Sequence, residues 1–210
     1  MTKTIIGLVG FQGSGKGTIG EYLEESHGFS TDSFANPLKD IVAAAFSWPR
    51  YMLEGDTTES REWREQVDEF WSEKLGLPEF TPRYALRYIG TEMFREVLSQ
   101  SFWVHCLERR IQENPSEHIV ITDCRFPDEM NLITRLGGSV IRVQKGPEPV
   151  WWNLAIHANS GGESSKQKLE EYGIHPSEYR WIGHPVDHVI TNDGTKQELW
   201  DKVDQILLNQ

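Results

Sequence analysis

Gly10-Phe11-Gln12-Gly13-Ser14-Gly15-Lys16-Gly17-Thr18 lies between an apolar run, Thr4 to Gly10, and a segment, Thr18 to Ser26, that places Ile19, Tyr22 and Leu23 on one helical face. The nine residues fit G-x-x-x-x-G-K, in the strand-then-helix context that the motif requires. Glycines let the backbone curl until successive N–H groups point inward at phosphate oxygens, and the helix N-terminus adds positive potential. Lys16 then reaches the β- and γ-phosphates of a nucleoside triphosphate as a point charge. Gly10, Gly13, Ser14, Gly15, Lys16, Gly17 and Thr18 are therefore the expected ATP-binding residues. A plain glycine-rich turn would need neither the lysine nor the flanking elements.

Working outward, Phe29 to Phe34 predicts a second strand. Asn36 as N-cap with Pro37 at the first helical position predicts a helix from about Leu38 to Phe46. Glu59 to Leu75 reads as one amphipathic helix in a stretch holding Trp48, Trp63 and Trp71. Tyr84 to Gln100 and Phe102 to Gln112 read as two more. His118 to Asp123 and Ser139 to Val143 are apolar strands with a helix, Asp128 to Leu136, between them. Val186 to Thr191 is the last strand and Lys196 to Leu208 the closing helix. Residues 145–184, rich in Gly, Ser, His and Pro, predict a mobile excursion. Alternating strands and helices imply an α/β fold, a doubly wound parallel sheet of five strands with helices on both faces.

Composition narrows the class. The 210 residues include 38% hydrophobic and 25% charged ones, enough apolar material for one substantial core. No run is long enough to span a membrane. A formal net charge of −11 without a basic block argues against a nucleic-acid partner. Cys106 and Cys124 have no metal-ligand spacing and cannot build a disulfide framework, which points to a reducing cytoplasm.

A second chemical signal is Asp123-Cys124-Arg125 at the end of the apolar strand. A carboxylate there sits where open α/β sheets bind ligands and is placed to hold Mg²⁺ through water. Arg125 offers a planar fork to a transferred phosphate. The competing reading is a helix-capping Asp beside a surface Arg. Position 17 is Gly, where many such loops carry the hydroxyl that ligates Mg²⁺. Thr18 and Asp123 are then the candidate metal contacts, again through water.

The G-K-G-T ending is similar to that of adenylate kinase and its relatives. The chain as a whole resembles the bacteriophage deoxynucleoside monophosphate kinases, a family related to phosphomevalonate kinase and more distantly to dephospho-CoA kinase. The landmarks are the glycine loop, Ala35-Asn36-Pro37-Leu38-Lys39-Asp40, Gly90-Thr91-Glu92 with Arg95 and Phe102-Trp103-Val104, Asp123-Cys124-Arg125, His175-Pro176-Ser177-Glu178, and Val189-Ile190-Thr191-Asn192-Asp193-Gly194.

This resemblance implies a P-loop kinase that transfers a phosphoryl group from ATP, with Mg²⁺, to a deoxynucleoside monophosphate in the cytoplasm, a host's if phage-encoded. It implies Lys16, Asp123 and Arg125 as catalytic residues, and Lys39, Arg83, Arg87, Thr91 and Arg95 around the acceptor. Asn192 and Gly194 would lie beside the adenine, and His175, Glu178 and Arg180 in a lid. The expected organisation is one domain over 1–210, with an acceptor-side helical insertion at about 48–115 and a lid at about 145–184. A homodimer is compatible with the sequence. Two other readings stay open: a kinase of the phosphomevalonate or dephospho-CoA type, and a module that hydrolyses ATP without an acceptor.

Overall fold

The computed structural model describes residues 3–208. In chain order they form β1 (Thr4–Val9), α1 (Lys16–His27), β2 (Ser30–Asp32), α2 (Asn36–Phe46), a 3-10 turn (Arg50–Leu53), α3 (Thr58–Glu65), α4 (Glu69–Leu75) and α5 (Pro82–Tyr88). A π-helical stretch (Ile89–Glu96) and α6 (Phe102–Glu113) follow, then β3 (His118–Cys124), α7 (Pro127–Arg135) and β4 (Ser139–Gln144). The chain closes with α8 (Trp152–Asn159), α9 (Glu163–Glu171), α10 (Pro176–Tyr179), β5 (His188–Thr191) and α11 (Lys196–Leu207). It resolves into two compact units, residues 1–33 with 113–210, and residues 34–112.

The first unit is the predicted sheet, five parallel strands in the order β2-β3-β1-β4-β5. Its strands alternate between two covered faces. Ile6 and Leu8 join Val120, Ile141, Val143 and Ile190 in a buried layer under Ile19 and Leu23 of α1 and Leu199 and Val203 of α11. Gly7 faces the other way, where a Cβ would come 2.8 Å from Cγ1 of Ile133 on α7, so the missing side chain lets that helix approach. Burying each such aliphatic side chain contributes about 1.5–3 kcal/mol. After β1 the chain leaves toward the α1 face, and after β3 toward the α7 face. The crevice between these neighbouring strands is the topological switch point, where open α/β sheets take ligands.

The second unit packs Val42, Trp48, Leu53, Phe80 and Ala85 together, with Phe46, Trp63, Trp71 and Tyr84 against them. Three expectations change here. The helix expected over Glu59 to Leu75 is two, because Asp68 caps the second: its carboxylate accepts from Trp71 N at 3.0 Å and from the Trp48 indole at 2.7 Å. Asn36 is not an N-cap. Helix α2 already includes it, and its side-chain oxygen accepts from Arg50 Nη2 at 3.1 Å. The long helix expected from Tyr84 widens into the π-helical stretch after Tyr88, where the Trp103 indole claims the carbonyl of Gly90 at 2.8 Å and competes with the helical ladder.

The segment 145–184 also differs from expectation. Instead of a mobile excursion it forms three helices around buried Ala155, Leu169, Tyr179, Trp181 and Ile182. Asn159 Nδ2 ties them by donating to the carbonyls of Tyr179 (2.8 Å) and Ile182 (2.7 Å). Its glycines mark only turns between short helices, and the apolar positions outweigh them. No helix among the described residues is long and apolar enough to cross a membrane.

Candidate active site

The loop after β1 has the backbone its glycines require. Gly10 has φ 147°, and a Cβ there would fall 2.3 Å from the carbonyl oxygen of Val143. Gly15 has φ 109°, and a Cβ would fall 2.3 Å from Nδ2 of Asn192. Any other residue at either position would meet both strain and a clash. Ser14 N donates to the Phe11 carbonyl at 3.2 Å, which closes the curl. The N–H groups of Gly15, Lys16, Gly17 and Thr18 find no acceptor among the described residues, as expected at a helix start. Buried Ser14 Oγ has no partner either. Free donors around an open curl are the chemistry of an anion cradle.

Lys16 Nζ donates to the carbonyls of Gly10 and Phe11, each at 2.8 Å, so its ammonium is held inside the curl. Burial, and then the charge of Arg125, lowers its pKa to about 8, against the opposing pull of Glu178 and Asp123. An anionic ligand would reverse that shift. Asp123, Arg125 and Glu178 thus all act electrostatically on the lysine.

The end of β3 is organised by Glu129, a residue the sequence reading passed over. Its buried carboxylate accepts from the backbone N–H of Arg125 (2.7 Å) and of Phe126 (3.1 Å), which caps α7. Asp123 lies within β3 and is not that cap, so the capping alternative falls to another residue. The signal was present: Pro127 at the first helical position with Glu two residues on is a helix-start pattern. The exposed Arg125 guanidinium reaches Ser177 Oγ (3.4 Å) and Glu178 Oε1 (3.5 Å), linking the strand end to α10. His175 accepts from Ser177 N through Nδ1 at 3.2 Å and so caps that short helix, while Arg180 is exposed.

Asn192 braces the loop. Its Nδ2 donates to the Ser14 carbonyl at 2.8 Å, and its backbone N to Gln144 O at 2.7 Å. Asp193 Oδ1 accepts from Gly146 N at 2.7 Å. Gly194 is exposed, and Glu198 folds back beside it to cap α11 through the N–H of Thr195 at 2.7 Å. Phe11, inside the loop, meets Trp181, Trp151 and Trp152 edge-on at 5.1, 5.6 and 6.2 Å. Arg142 lies over Trp152 (4.4 Å) and Trp181 (5.3 Å) and pairs with Glu148. The sequence reading gave no role to Phe11, Trp181 or Arg142, whose meeting depends on tertiary contact.

The acceptor candidates lie in the second unit, on α2, α5 and the π-helical stretch, which pack against one another. Lys39 pairs with Glu54 at 2.5 Å rather than with Asp40 or Asp32, and Glu54 also pairs with Arg50, which reaches Asp40 at 2.6 Å. Arg83 pairs with Glu65, and Arg87 lies over the Tyr84 ring at 5.5 Å. Thr91 and Arg95 both fall on the π-helical stretch, a geometry often found at functional sites.

Mg²⁺ suits this donor set. Among the described residues no cluster of three or more acidic, His or Cys ligands exists to cage a metal. Asp123 and the Thr18 hydroxyl are the donors that could contact a hydrated Mg²⁺, whose coordination substrate phosphates would complete.

No family model matches the chain. It is 32% identical over 155 residues to a protein of Acanthamoeba polyphaga mimivirus assigned as a deoxynucleotide monophosphate kinase, an alignment covering 67% of this chain and 74% of that one. It is 27% identical over 128 residues to the deoxynucleotide monophosphate kinase of Escherichia phage RB69, covering 60% of this chain and 44% of the phage protein. Among solved structures it is similar to TT1252 from Thermus thermophilus (TM-score 0.47, 18% identity, 100% and 98% coverage) and to dephospho-CoA kinase from Campylobacter jejuni (TM-score 0.44, 16% identity, 98% of each chain). Likenesses this loose add nothing to the topology itself. The mimivirus match and the curled loop at the mouth of a 2-3-1-4-5 sheet place the chain in the deoxynucleotide monophosphate kinase family.

Proposed function

We propose that the chain transfers the γ-phosphoryl group of ATP to a deoxynucleoside monophosphate, giving ADP and a deoxynucleoside diphosphate. The observation that carries this reading is the set of unspent backbone donors around Lys16, with Asp123 and Arg125 beside them. The triphosphate lies in the curl. Lys16 exchanges the carbonyls of Gly10 and Phe11 for phosphate oxygens, and the helix start of α1 adds its dipole. Transfer is in line, and the transition state spreads charge over the phosphoryl oxygens. Lys16 and Arg125 stabilise that charge, and Mg²⁺ bound near Asp123 and Thr18 would neutralise more of it when present.

No general base is needed, because an acceptor phosphate oxygen is already ionised near pH 7. The segment carrying His175, Glu178 and Arg180 excludes water from the phosphates, which protects ATP from hydrolysis and strengthens each charged contact. Lys39, Arg83, Arg87, Thr91 and Arg95 hold the acceptor. A cytoplasmic site of action belongs to this reading, because ATP and deoxynucleoside monophosphates are cytoplasmic solutes.

An acceptor panel tests the reading. Each deoxy- and ribonucleoside monophosphate, phosphomevalonate and dephospho-CoA are offered with ATP and Mg²⁺, and ADP release is followed by a coupled assay. Deoxynucleoside monophosphates should give the fastest release. Rapid ADP release with no acceptor would favour an ATP-hydrolysing module instead.

A further inference from the structure

Arg64, on α3 in the second unit, is half-buried and has no hydrogen-bond or ion-pair partner among the described residues. Its Nε is closed off from solvent without an acceptor, and its guanidinium presses on Gly55, where a Cβ would fall 1.9 Å from Nη2. Arg61, one turn earlier, binds the same bend, with Nε on the Gly55 carbonyl (3.0 Å) and Nη2 on that of Asp56 (2.8 Å). Arg83 of α5 is drawn to α3 through Glu65.

The nearby carboxylates are already spent. Glu54 gives Oε2 to Lys39 and Oε1 to Arg50, and Glu65 gives Oε1 to Arg83. Burial, followed by the charges of Arg83 and Arg61, pushes the Arg64 pKa down, and Glu65 and Glu54 offset this only in part. A desolvated cation without a counter-charge is unfavourable. An anion bound at Arg64 would relieve it.

We propose that Arg64, flanked by Arg83, binds the phosphate monoester group of the acceptor nucleotide; this rests on the kinase reading above. A phosphate monoester near pH 7 carries close to two negative charges and supplies the counter-charge that Arg64 lacks, while Arg83 keeps its pair with Glu65. Its oxygens also suit the planar fork of arginine. Arg95, which the family resemblance suggests for this grip, already has interactions of its own.

The test compares wild type with Arg64→Gln and Arg64→Met, both of which keep a packing stem. KM for the deoxynucleoside monophosphate should rise about tenfold or more, equivalent to about 1.4 kcal/mol, while KM for ATP stays unchanged. The melting temperature of the free variants should hold or rise, because an unpaired charge has been removed, whereas a structural arginine would lower it. An unchanged acceptor KM overturns the proposal, and so does an acceptor KM that rises only together with a lower melting temperature. If the wild type phosphorylates no monophosphate, the kinase reading fails, and calorimetry still decides the arginine: binding heat of a deoxynucleoside monophosphate lost in Arg64→Gln supports the site, and equal heats refute it. Inorganic phosphate binding that depends on Arg64, with acceptor KM unaffected, would refute the assignment to the acceptor.

Discussion

At the scale of single residues, Lys16 carries the clearest expectation. Its pKa, lowered to about 8 by burial and then by Arg125, means that the free protein loses this charge as pH rises through 8. The value kcat/KM for ATP reports the free enzyme and should therefore fall above about pH 8. The turnover number should persist to higher pH, because bound phosphates raise the lysine again. A flat kcat/KM profile between pH 7 and 9.5 would contradict this. Asn192 separates two roles. Its side-chain donor is committed to the Ser14 carbonyl, so Asn192→Ala should weaken ATP and GTP alike by several-fold, about 1 kcal/mol for one hydrogen bond. A change confined to the ATP-over-GTP preference would instead mean that it reads the base.

At the scale of elements, the turn from β3 into α7 joins chemistry to stability. Glu129 holds the N–H groups of Arg125 and Phe126, so Glu129→Ala should cost about 1–3 kcal/mol, read by thermal or urea unfolding, because two part-buried backbone donors lose their acceptor. Arg125→Ala should leave stability nearly unchanged and lower turnover by orders of magnitude, since its guanidinium is exposed and makes only long hydrogen bonds, to Ser177 and Glu178, among the described residues. Loss of stability alone would contradict the role proposed for it. The helices over 152–179 meet the loop through Phe11, which packs against Trp151, Trp152 and Trp181. Tryptophan fluorescence should therefore change on ATP binding, and an unaltered spectrum at saturation would argue that the aromatic cluster and the loop are independent.

Legibility in the sequence follows the range of the forces involved. The loop from Gly10 to Thr18 was legible because its constraints are local: positive φ at Gly10 and Gly15, a strand before and a helix after. β1, β3 and β4 were legible from their largely apolar runs, whereas β2 is only Ser30–Asp32, within the Phe29 to Phe34 stretch expected to be a strand. Breaks that depend on a distant partner were not, as with Asp68, whose carboxylate is claimed by the Trp48 indole, and with Gly90, whose carbonyl is claimed by Trp103. The same holds at the site. Asp123 and Arg125 announce themselves at a strand end, and Glu129 by its spacing from Pro127, whereas Arg142 and Arg64 acquire meaning only from neighbours that no spacing rule connects.

At the scale of the whole molecule, the sheet order β2-β3-β1-β4-β5 brings a phosphate cradle after β1 and a carboxylate–arginine pair after β3 to one crevice. The account stands or falls on that cradle moving a phosphoryl group between two nucleotides. The most direct measurement supplies ATP labelled in its γ-phosphoryl group together with deoxynucleoside monophosphates and Mg²⁺, to wild type and to Lys16→Ala of equal melting temperature. Label should appear in a deoxynucleoside diphosphate with the wild type and be undetectable with the variant. Label found only as inorganic phosphate, or equal transfer by the variant, would contradict the account.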